Sequence, residues 1–324
     1  MLLKSEGFWE KEKSSCLFNR SGLDSEGGLY MMYRRARDIL WLSKLSLKDT
    51  PKDAGADPLD LLAQAFENLE IEALPRGPHE VPPETLRIFE LDAERTFKDE
   101  ENKATLRNTL SLIYSYIGDY HQGEGFVIAF LLIYLMPSEL VTVIKALNTN
   151  FLRGYFSSAP KNYVRDARVL MRFLRDKNPE LHSHLEPLIV PEAFVSKWFI
   201  GLNIHVLIFP CVIDYIRYIL KKGDVYLFQY GIAFFTTFQK ELMKTRDISY
   251  ILQVLRLEDF EGEKCTDACF EIIKNSLHVD LDVEALEKYR SEVEKEMEEE
   301  EQRKKANEAL LDYDDDEIVF SDEE

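Results

Sequence analysis

The sequence is poor in cysteine, with only Cys16, Cys211, Cys265 and Cys269 in 324 residues. So few thiols form no disulfide framework, which indicates a reducing compartment. Cys265 and Cys269 would lie one turn apart on a helix, but no group of histidines or cysteines nearby completes the four ligands that zinc prefers. We therefore expect ordinary buried thiols at these positions and no bound metal ion.

Long apolar runs are also missing. The N-terminal residues turn polar at once and lack the apolar stretch of a secretory signal. The stretch from Phe126 to Met136 is too short to span a bilayer, and polar residues and Pro210 interrupt the stretch from Trp198 to Leu220. We expect no transmembrane segment and a cytoplasmic protein.

Positive charge is scarce, since 59 acidic residues outnumber 40 basic ones and the net charge is −19. An acidic chain repels phosphate backbones, so nucleic acid is not an expected partner. The imbalance is concentrated in residues 280–324, which hold 20 acidic and 6 basic residues. There, Val283 to Leu311 is typical of a solvated single helix or a short coiled coil, and Asp312 to Glu324 is expected to be disordered.

The residues that are present favour helices throughout. Leu106, Leu110, Ile113 and Ile117 recur with helical spacing, and strand-like alternation is scarce, so the predicted fold class is all-α. A single helix is predicted from Pro191 to Phe209. We divide the chain into a lead-in over residues 1–27, a helical domain over residues 28–260, a terminal helix packed on it over residues 261–279, and a charged helix with a disordered acidic tail over residues 280–324.

Two polar side chains are predicted at helix ends. Pro83 is expected to open a helix that ends near Leu91, so that Arg95 lies on the following loop. Gln122 is expected in the turn before an apolar helix that begins at Phe126. Taken alone, each side chain has an ordinary explanation, because Arg95 could pair with a neighbouring acidic residue and Gln122 could cap the amides of the next helix.

Four ordered motifs carry a family resemblance. In chain order they are Arg37 four residues before Trp41, Phe89-x-x-Asp92-x-x-Arg95-Thr96, Tyr120-His121-Gln122, and Trp198-Phe199-Ile200 followed by Val212-Ile213-Asp214-Tyr215. Together they resemble the TBC domain, the helical catalytic module of GTPase-activating proteins for Rab-type small GTPases. The resemblance implies an all-α, TBC-type domain with two helical subdomains and a central groove over residues 28–260.

The resemblance also implies a role for each matching residue. Arg95 would enter the GTPase active site as an arginine finger and stabilise charge that develops on the transferring phosphoryl oxygens. Gln122 would act as a glutamine finger and orient the attacking water. Supporting positions are implied for Asp92, Thr96, Tyr120, Gly123, Arg37, Trp41 and Asp214.

The implied partner is a Rab-family GTPase in its GTP form, and the implied process is vesicle trafficking. That partner would bind GTP and Mg²⁺, so the chain is expected to have no cofactor of its own. Because such partners are lipid-anchored, we expect transient, peripheral association with endomembranes. Two other hypotheses stay open: a catalytically silent TBC-type scaffold or adaptor that binds Rab proteins, and a helical adaptor unrelated to GTPases.

Overall fold

A computed structural model describes Phe8, Lys11, Glu12 and Leu17, together with residues 77–258 and 262–315, with side chains from residue 264 to residue 307 in the last range. The positions predicted for Arg37 and Trp41, and most of the lead-in, lie outside these residues. Within the described part all regular structure is helical and no strand is present, which confirms the predicted all-α class.

Twelve helices are found in residues 77–258 and 262–315. In chain order they are α1 (Pro83–Thr96), α2 (Glu100–Ile117), α3 (Glu124–Leu132), α4 (Pro137–Ala146), α5 (Lys161–Lys177), α6 (Pro179–Leu185), α7 (Pro191–Phe199), α8 (Phe209–Lys222), α9 (Val225–Leu242), α10 (Ile248–Leu255), α11 (Gly262–Ser276) and α12 (Val283–Asp315). A π-helical turn, Leu147–Phe151, follows α4 directly. None of these helices combines the length and the apolar character that crossing a membrane requires.

Helix α1 extends past its predicted end at Leu91 and carries Arg95 in its last turn, so the loop position predicted for Arg95 was wrong. Leu91 is exposed, and the buried face of the helix continues beyond it to Thr96. The Thr96 hydroxyl donates to the carbonyl oxygen of Asp92 at 2.5 Å, which adds a hydrogen bond to the last turn. The helix ends where Phe97 adopts an extended conformation and buries its ring.

The single helix predicted from Pro191 to Phe209 was also wrong, because α7 ends at Phe199 and α8 begins ten residues later. Leu202 and Asn203 adopt positive φ angles of 46° and 58°, which a right-handed helix excludes. The residues of this break are mostly buried. An apolar, buried turn resembles a helix in composition, so the hydrophobic pattern did not reveal the interruption.

Helix α3 lies at the centre of the core. All of its residues from Val127 to Leu132 are buried. It begins at Glu124, two residues before the predicted start at Phe126, and ends four residues before Met136. Helices α1, α2 and α4 pack against it, so the segment that precedes α3 is held on a rigid base.

The charged helix α12 packs against α5, whereas the sequence favoured a solvated helix or a coiled coil. Leu286 and Val293 are buried in this contact, and the side chain of Arg290 is only 3% exposed. On its outer edge, Arg172 of α5 donates to two glutamates of α12 at 2.6 Å. The excess of acidic residues in α12 thus neutralises a basic face of α5.

Candidate functional site

A buried carboxyl group joins the end of α1 to the turn before α3. Asp92 is 3% exposed, and its Oδ2 atom accepts a hydrogen bond from the Tyr120 hydroxyl at 2.6 Å. The Tyr120 oxygen accepts in turn from the backbone N–H of Gly125 at 3.1 Å. Burial and the charge of Asp92 raise the pKa of Tyr120 well above its usual value, so its hydroxyl stays protonated as the donor. A directed chain of hydrogen bonds therefore connects the two segments.

The guanidinium group of Arg95 lies beside this link and remains accessible. Its Nη1 atom is 3.9 Å from Oδ1 of Asp92, and the Arg95 side chain is 56% exposed. Burial raises the pKa of Asp92, while the hydrogen bond from Tyr120 and the charge of Arg95 lower it. Because Arg95 is mostly exposed and 3.9 Å away, the ion pair is weak, and the guanidinium donors stay available to another molecule.

Gln122 is exposed at the turn between α2 and α3, where the sequence predicted it. Two glycines shape this connection, with Gly118 at φ 77° and Gly123 at φ 112°, a region that other residues rarely adopt. Gly125 is required for a different reason, because a Cβ atom there would lie 2.6 Å from the hydroxyl oxygen of Tyr120. Gly118 and Gly123 thus permit the backbone conformation of this turn, and Gly125 leaves room for the Tyr120 hydroxyl.

The connection formed by residues 118–123, which we name the glutamine turn, brings two titratable side chains close to Gln122. Glu124, the first residue of α3, is 1% exposed, and burial raises the pKa of its carboxyl group to about 8. His121 is half-buried, and burial lowers the pKa of its imidazole group. Desolvation favours the neutral form of both groups. These two side chains therefore add little charge near neutral pH.

A cleft of about 200 Å³ opens beside Gln122. Gln122 and Phe126 line it from the glutamine turn and α3, and Lys197 and Ile200 line it from α7 and the residue that follows. The rings of Phe126 and His205 meet edge to face with centroids 4.1 Å apart. The cleft is lined by apolar side chains together with the polar residues Gln122 and Lys197.

Most of the predicted site residues lie together. The connected set consists of Asp92, Arg95, Thr96, Tyr120, Gln122 and Gly123. Asp214 lies on α8, where its carboxylate is 2.8 Å from the Arg217 guanidinium, and it is not among the residues that line the cleft. Helix α8 packs mainly on α9 and α11, which accounts for its position away from Gln122.

Three residues near the site were not predicted from the sequence, namely Phe8, Glu12 and Lys197. Glu12 contacts residues that follow it by more than 80 positions, and no local pattern signals a pairing over such a distance. Lys197 precedes the tryptophan of the Trp198-Phe199 motif, and this neighbour was the only signal that could have indicated it.

The fold and the site define a helical domain that presents an exposed arginine and an exposed glutamine on two connected helix ends. The profile of the Rab-GTPase-TBC domain family matches residues 75–243, and the chain belongs to this family. The fold agrees with a solved structure described as the crystal structure of the Chlamydomonas flagellar RabGAP TBC domain. The TM-score is 0.53 at 16% identity, over 80% of this chain and 86% of that chain.

Curated relatives are similar over different lengths. Growth hormone-regulated TBC protein 6 of Caenorhabditis elegans is 24% identical over 225 residues, which cover 67% of this chain and 68% of the relative. Carabin of Mus musculus is 32% identical over 115 residues, which cover 35% of this chain and 26% of the relative. The chain thus spans about two thirds of the worm protein and about a quarter of the mouse protein.

Proposed function

We propose that the protein is a GTPase-activating protein for Rab-family GTPases and donates Arg95 and Gln122 to a GTP-bound partner. One observation carries the proposal: Asp92 contacts both Arg95 and Tyr120, which lies two residues before Gln122. One buried carboxyl group therefore connects Arg95 with the turn that carries Gln122. The match to the Rab-GTPase-TBC domain family supports the class of partner.

The chemistry assigned to Arg95 and Gln122 is positioning and charge stabilisation. During GTP hydrolysis negative charge spreads over the oxygens of the transferring phosphoryl group, and a guanidinium placed there lowers the barrier. Arg95 offers planar N–H donors for this purpose. The carboxamide of Gln122 would accept a hydrogen bond from the attacking water and align it. GTP and Mg²⁺ belong to the partner in this scheme.

An apolar strip on α1 supports docking beside Arg95. Ile88 is 38% exposed and Leu91 is 46% exposed. They precede Arg95 by seven and four residues, so the three side chains share one face of the helix. A GTPase that receives Arg95 would contact this strip, and burial of both side chains would contribute to binding.

We expect the encounter to occur at endomembranes. Rab proteins carry lipid anchors, so a partner that acts on them in vesicle trafficking must reach the membrane surface at least transiently. The chain itself would supply neither a nucleotide site nor a metal ion.

The experiment is single-turnover GTP hydrolysis by a panel of Rab proteins with the wild-type, Arg95→Ala and Gln122→Ala forms. Arginine fingers contribute about 10³–10⁵-fold in rate, so we expect Arg95→Ala to abolish most of the stimulation. Gln122→Ala should lower the rate by about 10²-fold, as loss of a positioned polar group does. Arg175→Ala on α5, an exposed arginine 3.8 Å from Asp176, and Gln253→Ala on α10 are matched controls, because both side chains are exposed and lie on other helices.

The outcomes separate the proposed activity from its alternatives. Stimulation that survives Arg95→Ala would contradict the arginine-finger mechanism. Tight binding of a GTP-loaded Rab without any rate enhancement by the wild-type protein would favour the scaffold. Absence of both binding and stimulation across the panel would favour an adaptor unrelated to GTPases.

A further inference from the structure

A second buried carboxylate lies on the other side of the turn that carries Arg95. Glu12 is 0% exposed. Its Oε2 atom accepts the backbone N–H of Lys98 at 2.9 Å, and its Oε1 atom accepts the backbone N–H of Asp99 and a side-chain N–H of Asn102, both at 2.9 Å. One side chain from the N-terminal region therefore binds three donors at the bend between α1 and α2.

An aromatic contact accompanies these hydrogen bonds. Phe8 contacts the residue directly before the two backbone N–H groups that Glu12 accepts. The ring of Phe8 meets the ring of Phe97 edge to face, with centroids 6.1 Å apart, and each residue is 1% exposed. Phe8 and Glu12 thus contact three consecutive residues, Phe97, Lys98 and Asp99, directly after the last turn of α1.

The charge of Glu12 suits this position. Lys98 and Asp99 stand immediately before the first turn of α2, where the backbone N–H groups lack partners within the helix and the helix dipole favours a negative charge. Asp99 itself accepts from the backbone N–H groups of Glu101 and Asn102. A charged acceptor forms stronger hydrogen bonds than a neutral one, so the bend is held in one conformation.

We propose that Glu12 is a positioning residue for Arg95. Glu12 does not touch Arg95. It acts through Lys98 and Asp99, which fix the bend directly after α1. The bend holds the last turn of α1 in place and therefore fixes the direction in which the Arg95 side chain projects from the helix. The inference rests on the proposed function, because its consequence for rate requires Arg95 to act on a GTPase.

The first test compares Glu12→Gln with Glu101→Gln, an equal loss of charge at an exposed carboxylate in the same region. The amide that Glu12→Gln introduces would present N–H donors to at least one backbone N–H, so the bend should loosen. With the Rab protein that responds best to the wild type, we expect the maximal single-turnover rate to fall about tenfold, since small misplacements of a reacting group are costly. The half-saturating Rab concentration should change less than about twofold, because the docking surface is untouched.

A second test needs no GTPase. Amide hydrogen exchange over residues 97–103 should become about tenfold faster in Glu12→Gln, while exchange over α7 should match the wild type. Asn102→Ala removes one of the three donors and keeps both backbone hydrogen bonds, so it should give a smaller increase. This variant keeps the inference testable if Glu12→Gln fails to fold.

The two readouts fail in different ways. If the wild-type protein stimulates no Rab, the proposed function fails, and the positioning of a catalytic arginine fails with it, while the exchange data still decide whether Glu12 fixes the bend. If exchange over residues 97–103 is unchanged in Glu12→Gln, the inference is overturned. It is also overturned if Glu12→Gln and Glu101→Gln give equal rates, or if only the half-saturating concentration rises.

Discussion

Two buried aspartates in this molecule have the same tyrosine contact and opposite arginine environments. Asp92 accepts from Tyr120 at 2.6 Å, and Asp166 accepts from Tyr155 at 2.6 Å. We name Asp92, Tyr120 and Arg95 the finger cluster, and Asp166, Tyr155 and Arg290 the anchor cluster. In the anchor cluster the arginine is 3% exposed and 2.7 Å from its aspartate, whereas in the finger cluster it is 56% exposed and 3.9 Å away.

The difference indicates what each arginine is for. Arg290 donates to Asp166 and also to Asp224 at 2.7 Å, so its hydrogen-bonding capacity is used within the protein and fixes α12 on α5. Arg95 keeps most of its donors in solvent beside Asp92. The same buried pair of acid and phenol therefore supports a structural contact in one place and an accessible cation in the other.

The largest effect is expected in the anchor cluster. Arg290→Ala removes the buried guanidinium that joins Asp166 to Asp224 and leaves each aspartate with one other arginine, Arg165 and Arg153 respectively. Losing one partner of a buried ion pair destabilises proteins by about 3–5 kcal/mol. Arg168→Ala removes a more exposed arginine that also links α5 to α12, so it should cost less than about 1 kcal/mol. Urea unfolding measures both. Equal losses for the two variants would contradict the structural role assigned to Arg290.

Glu124 is a third buried acid, and it differs from Asp92 and Asp166 because no arginine pairs with it among its described contacts. Burial raises the pKa of Glu124 to about 8 from a usual value of 4.5, so the folded protein retains a proton that the unfolded chain has lost between these pH values. The stability present below pH 4.5 is therefore lost as pH rises to 8, by roughly 1.4 kcal/mol for each pH unit in this range.

The prediction for Glu124 follows from a variant that cannot titrate. Relative to the wild type, Glu124→Gln should become progressively more stable between pH 5 and pH 8. Urea unfolding at several pH values measures the difference, and Glu186→Gln, an exposed site, serves as the control. A difference that does not vary with pH would show that Glu124 is charged in the folded protein.

Variants of Tyr120 and Tyr155 test the difference between the two clusters directly. Tyr120→Phe and Tyr155→Phe each remove a hydroxyl that donates to a buried aspartate, so both should cost about 1–2 kcal/mol in the free energy of unfolding. Only Tyr120→Phe should also lower Rab-stimulated GTP hydrolysis, by about tenfold, because Tyr120 links Asp92 to the glutamine turn. If Tyr155→Phe lowers the rate per folded molecule equally, the finger cluster has no special role.

The smallest effect concerns docking. Leu91 and Leu86 are similarly exposed, at 46% and 44%, but on opposite sides of α1, and only Leu91 shares the face of Arg95. Leu91→Asp should weaken the binding of a GTP-analogue-loaded Rab by about tenfold, as loss of an interface anchor does. Leu86→Asp should leave the affinity within about twofold. Titration of fluorescent Rab measures both, and equal weakening would exclude α1 as a one-sided docking helix.

Local patterns were sufficient for the fold class and for the glutamine turn. Helical spacing from Leu106 to Ile117 depends on neighbours three and four residues apart, and α2 ends at Gly118 as a left-handed glycine requires. The motif resemblance then predicted that Arg95 and Gln122 act as a pair, which stays a prediction. These features are readable because each is determined within a few residues of the chain.

Long-range contacts were not readable from the sequence. Arg290 meets Asp166 across 124 residues, and Glu12 meets Lys98 across 86 residues, so neither pairing leaves a local pattern. The end of α1 was misplaced because exposed Leu91 ended the visible apolar period, while the buried face continued through polar Asp92 and Thr96. In each case tertiary packing decided what the sequence pattern left open.

The most direct test of the account is the affinity of the protein for a Rab–GDP complex with and without aluminium fluoride, which imitates the transferring phosphoryl group. If Arg95 stabilises the transition state, the wild-type protein should bind the fluoride-loaded complex at least about 10²-fold more tightly than Rab–GDP. Arg95→Ala should lose nearly all of this preference, whereas Arg175→Ala should keep it. A full preference retained by Arg95→Ala would contradict the account.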